Sequence, residues 1–269
     1  VMDLPSADTF GQRHDASELT RLGQTLGMEC AAFGFNLDFA PVADVRSNPE
    51  NTVIGDRAYS GDPGRAADAA AWVDGGMREA GIISVWKHFP GHGNTATDSH
   101  QALPVVELSR EDWARGDAVP FRRAVECGAP AVMAGHIRMT AFDPEYPASL
   151  SHVLVSEVLR EELGFTGVVC TDDLTMGAIS DTYGMGEAAV LAVEAGCDLL
   201  LVCHGADNLT QARQALLGAV DGGRISPARL EESVYRILAL KAEYGLTNQT
   251  VEAPDVAALN QAVQALLGE

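Results

Sequence analysis

Five short, almost unbroken apolar stretches, each running into ionisable side chains, constrain this chain more than any other feature. They are FNLDFAPV (35–42), GIISVWKHF (81–89), PAVMAGH (130–136), GVVCTDD (167–173) and CDLLLVCH (197–204). Strands apolar on both faces belong to parallel sheets covered by helices. The intervening sequence supplies those helices. Leu19, Leu22, Leu26, Cys30 and Phe33 step by three or four along one helical face, and Gly34 is a natural stop. Ala66, Ala69, Ala70, Val73, Met77 and Ala80 form a second such face. Ser109 with Asp112 reads as a helix start. Further helices are expected over 117–127, 151–163, 186–195, 206–220, 226–244 and 254–267, with a Gly-, Pro- and polar-rich loop over 90–108. The fold expected is α/β, of the TIM-type (β/α)8 barrel class. A closed barrel takes eight strands, of which about five are visible here. One partial barrel domain over 1–269 is the expected organisation.

Polar side chains gather at the strand ends: Asp44, Lys87 with His88, His136, Asp172 with Asp173, and His204. In α/β folds that rim carries the chemistry. No G-x-G-x-x-G or Walker sequence follows a strand, so nucleotide binding finds little support. With 18 Lys and Arg against 38 Asp and Glu, the net charge is −20. Such a field disfavours nucleic acid and anionic membrane as partners, and no apolar run is long enough to span a bilayer. The five cysteines have no CxxC spacing. They read as reduced, mostly buried thiols of a cytoplasmic protein. The chain opens VMDLPSADTFG without a starting Met, so a segment preceding it is expected.

The densest chemistry lies in Lys87-His88-Phe89-Pro90-Gly91-His92-Gly93, followed by Asp98-Ser99-His100. In an extended loop, residues two apart face the same way. Asp98 can then accept from His100 Nδ1, fix its tautomer and prepare it as a proton donor. The plainer reading is a capping Asp and a surface His. Asp172 and Asp173 are neighbours on a strand and should project in opposite directions, one to the rim as nucleophile or base, the other to cap the next helix or receive a hydrogen bond. His88, His92, His100 and Asp98 match no common zinc spacing, so neither metal nor cofactor is expected. Arg57 is either a surface ion-pair residue or a bidentate donor to a ligand. His136 and His204 read equally as satisfied rim histidines.

KHFPGHGNTATDSH resembles the signature of glycoside hydrolase family 3, in its β-N-acetylglucosaminidase branch. LDFAPVADV (37–45), IGDRAYSGDP (54–63), VMAGHI (132–137), PASLS (147–151), LREELGFTGVVCTDDLTM (159–176) and AGCDLLLVC (195–203) extend the likeness over roughly residues 20–245. The β-glucosidase branch lacks the GHG…DSH loop. The resemblance implies a (β/α)8 barrel and a retaining double displacement. Asp172 would be the nucleophile, His100 the general acid/base and Asp98 its dyad partner; Lys87, His88 and Arg57 would hold sugar hydroxyls. The substrate implied is a terminal N-acetylglucosaminide, typically of peptidoglycan fragments during wall recycling. The family's Asp-Gln-Glu-Gly-Gly segment, which also contacts the sugar, is not found here, and residues 1–18 read as the linker that follows it. The match is to roughly the last five-eighths of a barrel. An incomplete sheet leaves an edge bare, so self-association is expected. The alternatives are a catalytically incompetent fragment with weak sugar binding, and a family 3 β-glucosidase or phosphorylase.

Overall fold

The computed structural model describes residues 1–95 and 103–268. Asp98 and His100 therefore lie outside the described residues. Helices α1 (Ala7–Arg13) and α2 (Ala16–Ala32) lead into β1 (Leu37–Asp38), followed by α3 (Pro63–Glu79) and β2 (Ile83–Phe89). Then come β3 (Val105–Val106), α4 (Arg110–Arg115), α5 (Ala118–Glu126), β4 (Ala131–Ala134) and β5 (Arg138–Met139). A wide, π-type helix over Val153–Glu162 precedes β6 (Val168–Asp173). The chain ends with α6 (Gly177–Ser180), α7 (Met185–Ala195), β7 (Leu199–Leu201), α8 (Ala206–Asp221), α9 (Pro227–Glu243) and α10 (Val256–Leu267).

The main sheet has the order β1-β2-β4-β6-β7, with every pair parallel. Sequential parallel strands joined through helices are the signature of a (β/α) barrel, here as a five-stranded curl whose end strands are β1 and β7. All five expected strands are present. The short β3–β5 pair was not expected; β3 falls inside the loop anticipated over 90–108. Residues 1–18 are not a bare linker: α1 and the start of α2 occupy them, with Phe10 and Leu19 buried against Tyr59, Val73 and Met77. Caps explain where the helices begin. The side chains of Asp15, Asp62, Ser109 and Ser226 accept from the N–H three residues on, and Pro63 and Pro227 occupy the first turn.

Strand alternation divides the core in two. On the outer side Trp86, Val132, Ala134 and Val169 pack with Phe121, Leu154 and Leu159 from the helices. On the inner side Val85, Ala131, Met133, Val168 and Cys170 pack with Leu37, Phe39, Leu199 and Leu201, and α9 lays Ile237 and Leu240 against them. Two register breaks interrupt this alternation. Trp86 and Phe89 of β2 face Val132 and Ala134, three residues against two. Cys170 and Asp173 of β6 likewise face Leu199 and Leu201. Such bulges bend a strand and re-aim its side chains, and they concentrate beside active sites. These two fall at Lys87-His88 and at Thr171-Asp172.

Candidate active site

The cleft at the carboxyl ends of the strands is lined by Arg57, Lys87, His88, His92, Asp172 and Cys203, with Phe39 and Met133 as apolar walls. Four of the expected site residues thus share one cavity. Asp173 lines it as well, so the two adjacent carboxylates do not part company as simple alternation requires. The bulge in β6 is the reason. Asp173 is nonetheless committed elsewhere: it accepts from Thr175 N–H at 3.0 Å, Thr175 Oγ1 at 2.5 Å and Cys203 N–H at 3.0 Å. Asp172 accepts only the N–H of Asp173, at 2.8 Å, among the described residues.

Electrostatics prepare Asp172 as an anion. Burial works to raise its pKa, but the charges of His88, His136 and Lys87 and the Asp173 N–H outweigh it and hold the carboxyl below its usual range. Lys87 is shifted down, by burial first and by Arg57 second, against the pull of Asp38, Asp172 and Asp44. Arg57 sits in the tight turn Gly55–Arg57, exposed, with one bond to the Val53 carbonyl at 3.3 Å. Its guanidinium keeps most of its donors for a ligand.

Asp44 builds the loop. It lies just past the Val42–Lys87 bridge that extends β1 alongside β2. Its carboxylate is 1% exposed and accepts from the His88 N–H (3.2 Å), His88 Nδ1 (2.7 Å) and the His92 N–H (2.6 Å). Burial pushes its pKa up, yet the His88 and His92 charges and these bonds hold it below the ordinary value. An ionised carboxylate only accepts, so His88 Nδ1 carries the proton and Nε2 is left for the cleft. Thr95 Oγ1 meets His92 Nδ1 at 2.7 Å, and Asn51 donates to the His92 carbonyl at 2.7 Å. Burial lowers the His92 pKa. Gly93 is there because a Cβ would stand 1.8 Å from the Val45 carbonyl oxygen.

Sequence reasoning gave no role to Asp44, although it stood out among the strand-end residues, and none to Asn51, for which no signal existed beyond a turn-like Asn-Pro-Glu-Asn. His136 is a buried strut. It is fully enclosed, with Nδ1 at 2.8 Å from Ser149 Oγ and Nε2 donating to the Asp173 carbonyl at 2.9 Å. His204 is exposed, 3.8 Å from Asp173. No group of three or more His, Cys, Asp or Glu among the described residues is placed to hold a metal ion.

The profile of the glycosyl hydrolase family 3 N terminal domain matches residues 2–240. The chain belongs to glycosyl hydrolase family 3. It is similar to a beta-hexosaminidase of Nitrosomonas eutropha, 32% identical over 269 residues, covering 97% of this chain and 77% of that protein. It is also similar to the solved family 3 beta-N-acetylglucosaminidase of Paenibacillus sp., at 41% identity and a TM-score of 0.92, covering 99% of this chain and 52% of that one. A solved beta-glucoside phosphorylase aligns at 28% identity and a TM-score of 0.89, over 97% of this chain and 49% of that one. The family 3 chain described here thus spans about half the length of these solved relatives. The family's barrel is what the five-stranded curl represents in part.

Proposed function

We propose that this family 3 chain is a retaining exo-β-N-acetylglucosaminidase that releases terminal N-acetylglucosamine from peptidoglycan-derived fragments or related glycosides. The observation that carries the reading is Asp172. It lies at a bulged strand end in the cleft, held ionised, with Lys87, His88 and Arg57 around the same cavity. In the proposed first step the Asp172 carboxylate bonds to the anomeric carbon as the bond to the leaving oxygen breaks. His100, oriented by Asp98, gives that oxygen its proton. In the second step His100 takes a proton from water, whose oxygen displaces Asp172 and restores the β configuration. A His donor is neutral once it has given its proton, so it adds no anion beside Asp172. Lys87, His88 Nε2 and Arg57 hold the sugar hydroxyls. Residues 1–269 act as one partial catalytic barrel, needing neither metal nor cofactor. The five free cysteines support a reducing, cytoplasmic setting. No helix among the described residues is long and apolar enough to cross a membrane. Self-association through the end strands belongs to the same proposal.

Turnover of para-nitrophenyl N-acetylglucosaminide, lost in Asp172→Ala, tests the reading. The likeness to a beta-glucoside phosphorylase favours one second reading, transfer to phosphate. It requires a rate that rises with phosphate and a glycosyl phosphate product; hydrolysis indifferent to phosphate excludes it.

A further inference from the structure

Two carboxyl groups meet the Pro90–Gly93 turn under opposite circumstances. Asp44 has the three donors described above. Asp117, immediately before α5, has none. It touches the turn at Gly91, whose backbone has φ +124°; a Cβ built there would stand 2.6 Å from Asp117 Cβ and 3.3 Å from Oδ1. Asp117 is 4% exposed, and its side chain does not cap the helix it precedes. No described residue donates a hydrogen bond to it. Among the ionisable groups nearby, the His88 imidazole is engaged with Asp44 and the His92 imidazole meets Thr95 Oγ1 through Nδ1. On the helices, Arg115 is paired with Glu111 and Asp112, and Arg122 is bonded to the Ala114 carbonyl. Asp44 is the charge that Asp117 feels.

A buried carboxylate without donors is costly, and a like charge beside it adds to the cost. The proton therefore goes to Asp117 and the charge to Asp44. We propose that Asp117 is a positioning residue of the Lys87–Thr95 loop: as a neutral acid packed against Gly91 it leaves Asp44 free to hold His88 and His92, and once ionised it loosens that hold. Burial and the Asp44 charge push the Asp117 carboxyl up to about 7, which places the change near neutral pH. Any effect on turnover rests on the glycosidase reading above; the coupling of Asp117 to the loop does not.

The test reads the loop itself. Trp113 donates its indole N–H to the Pro90 carbonyl at 2.9 Å, so its amide-type proton–nitrogen signal reports where the turn sits. It is one of 3 tryptophans and is identified by Trp113→Phe. Between about pH 5 and pH 9, the signal is expected to move in one step with a midpoint near 7 in the unaltered chain, and to lose that step in Asp117→Asn. A step that persists in Asp117→Asn, or no step in the unaltered chain, overturns the proposal. If Asp117→Asn does not fold, Asp44→Asn replaces it: with the neighbouring charge removed the midpoint should fall, and an unmoved midpoint overturns the proposal. Where turnover is measurable, Asp117→Asn should carry the alkaline limb of kcat upward with KM within about twofold. A chain inactive on N-acetylglucosaminides would count against the function reading and leave the indole titration to decide this one.

Discussion

Asp44 and Asp172 occupy the cleft differently, Asp44 bonded to the loop that shapes it and Asp172 lining it. Asp44 is fully enclosed and binds three donors from a single turn, so its loss should be felt in folding as well as in activity. Asp44→Asn keeps the shape, removes the charge and mismatches at least one donor; charge-assisted bonds of this kind are each worth about 1.5–3 kcal/mol. Urea unfolding near neutral pH should show a loss of about 2–4 kcal/mol. The sign with pH follows from its depressed folded pKa. The stability that Asp44 contributes is present above the unfolded pKa of about 4 and is lost as pH falls through the lower folded value. The gap between Asp44→Asn and the unaltered chain should therefore narrow below about pH 4; a gap constant with pH would show that charge plays no part. Asp172 makes a different prediction. A slow fluorinated N-acetylglucosaminide should label one peptide, the one containing Asp172, and Asp172→Ala should abolish labelling. Label on another residue would reassign the nucleophile.

The Pro90–Gly93 turn after β2 meets the backbone at Gly93 with no room for an added atom. Gly93→Ala places a methyl group against the Val45 carbonyl, 1.8 Å away in the unrelaxed backbone. Overpacking of this kind costs about 1–3 kcal/mol or more, so the urea midpoint should drop and the His88–Asp44 pairing should be lost from the proton spectrum. An unchanged midpoint would mean that the turn can shift freely. This level of structure is also where the sequence was only partly legible. Strands β2, β4 and β6 could be read because long apolar runs are hard to mistake, α3 because its apolar face repeats at helical spacing, and α4 and α9 because their caps are local. The bulges were not legible. Nothing in Lys87-His88 or Thr171-Asp172 announces an extra residue, since a bulge is defined by the partner strand. Simple alternation therefore did not place Asp173 beside Asp172 at the cleft, although the expectation that one of the two would be taken up by hydrogen bonds fits its bonds from Thr175 and Cys203. Helix α1 was missed because seven residues containing two polar and two charged side chains carry little periodicity; burying Phe10 against Tyr59 decides it. Of the candidate site, Lys87, His88 and Asp172 were readable as strand-end residues, whereas Arg57, in a loop turn, joined them only through the family resemblance. The partner contacts of Asp44, Asn51 and Asp117 were not, because each depends on chain segments about 40 or more residues away, or on a packing contact invisible to spacing.

The molecule as a whole is a curl with two end strands. At β7, Leu199, Leu200 and Leu201 are only half-buried, and Phe35 just before β1 is 64% exposed. Helix α9 turns Ile237 and Leu240 to the inner face while Tyr235 remains 74% exposed. End strands with unpaired backbone and bare apolar side chains favour pairing with another chain, against which the net charge of −20 works by repulsion. Salt screens that repulsion beyond about 8–10 Å. Sedimentation should therefore find association that strengthens with both concentration and salt; a monomer under every condition would show that the end strands are adequately covered. The acidic field has little bearing on a neutral sugar, so turnover of N-acetylglucosaminides should vary little with salt.

The most direct test is hydrolysis of para-nitrophenyl N-acetylglucosaminide and para-nitrophenyl glucoside by the purified chain, beside its Asp172→Ala variant. Turnover of the first well above the second, lost in the variant, is the expected result. It would establish that the five-stranded curl carries a working family 3 site. A folded chain that turns over neither, or one whose activity survives Asp172→Ala, would contradict the assignment of Asp172 as the nucleophile of a β-N-acetylglucosaminidase.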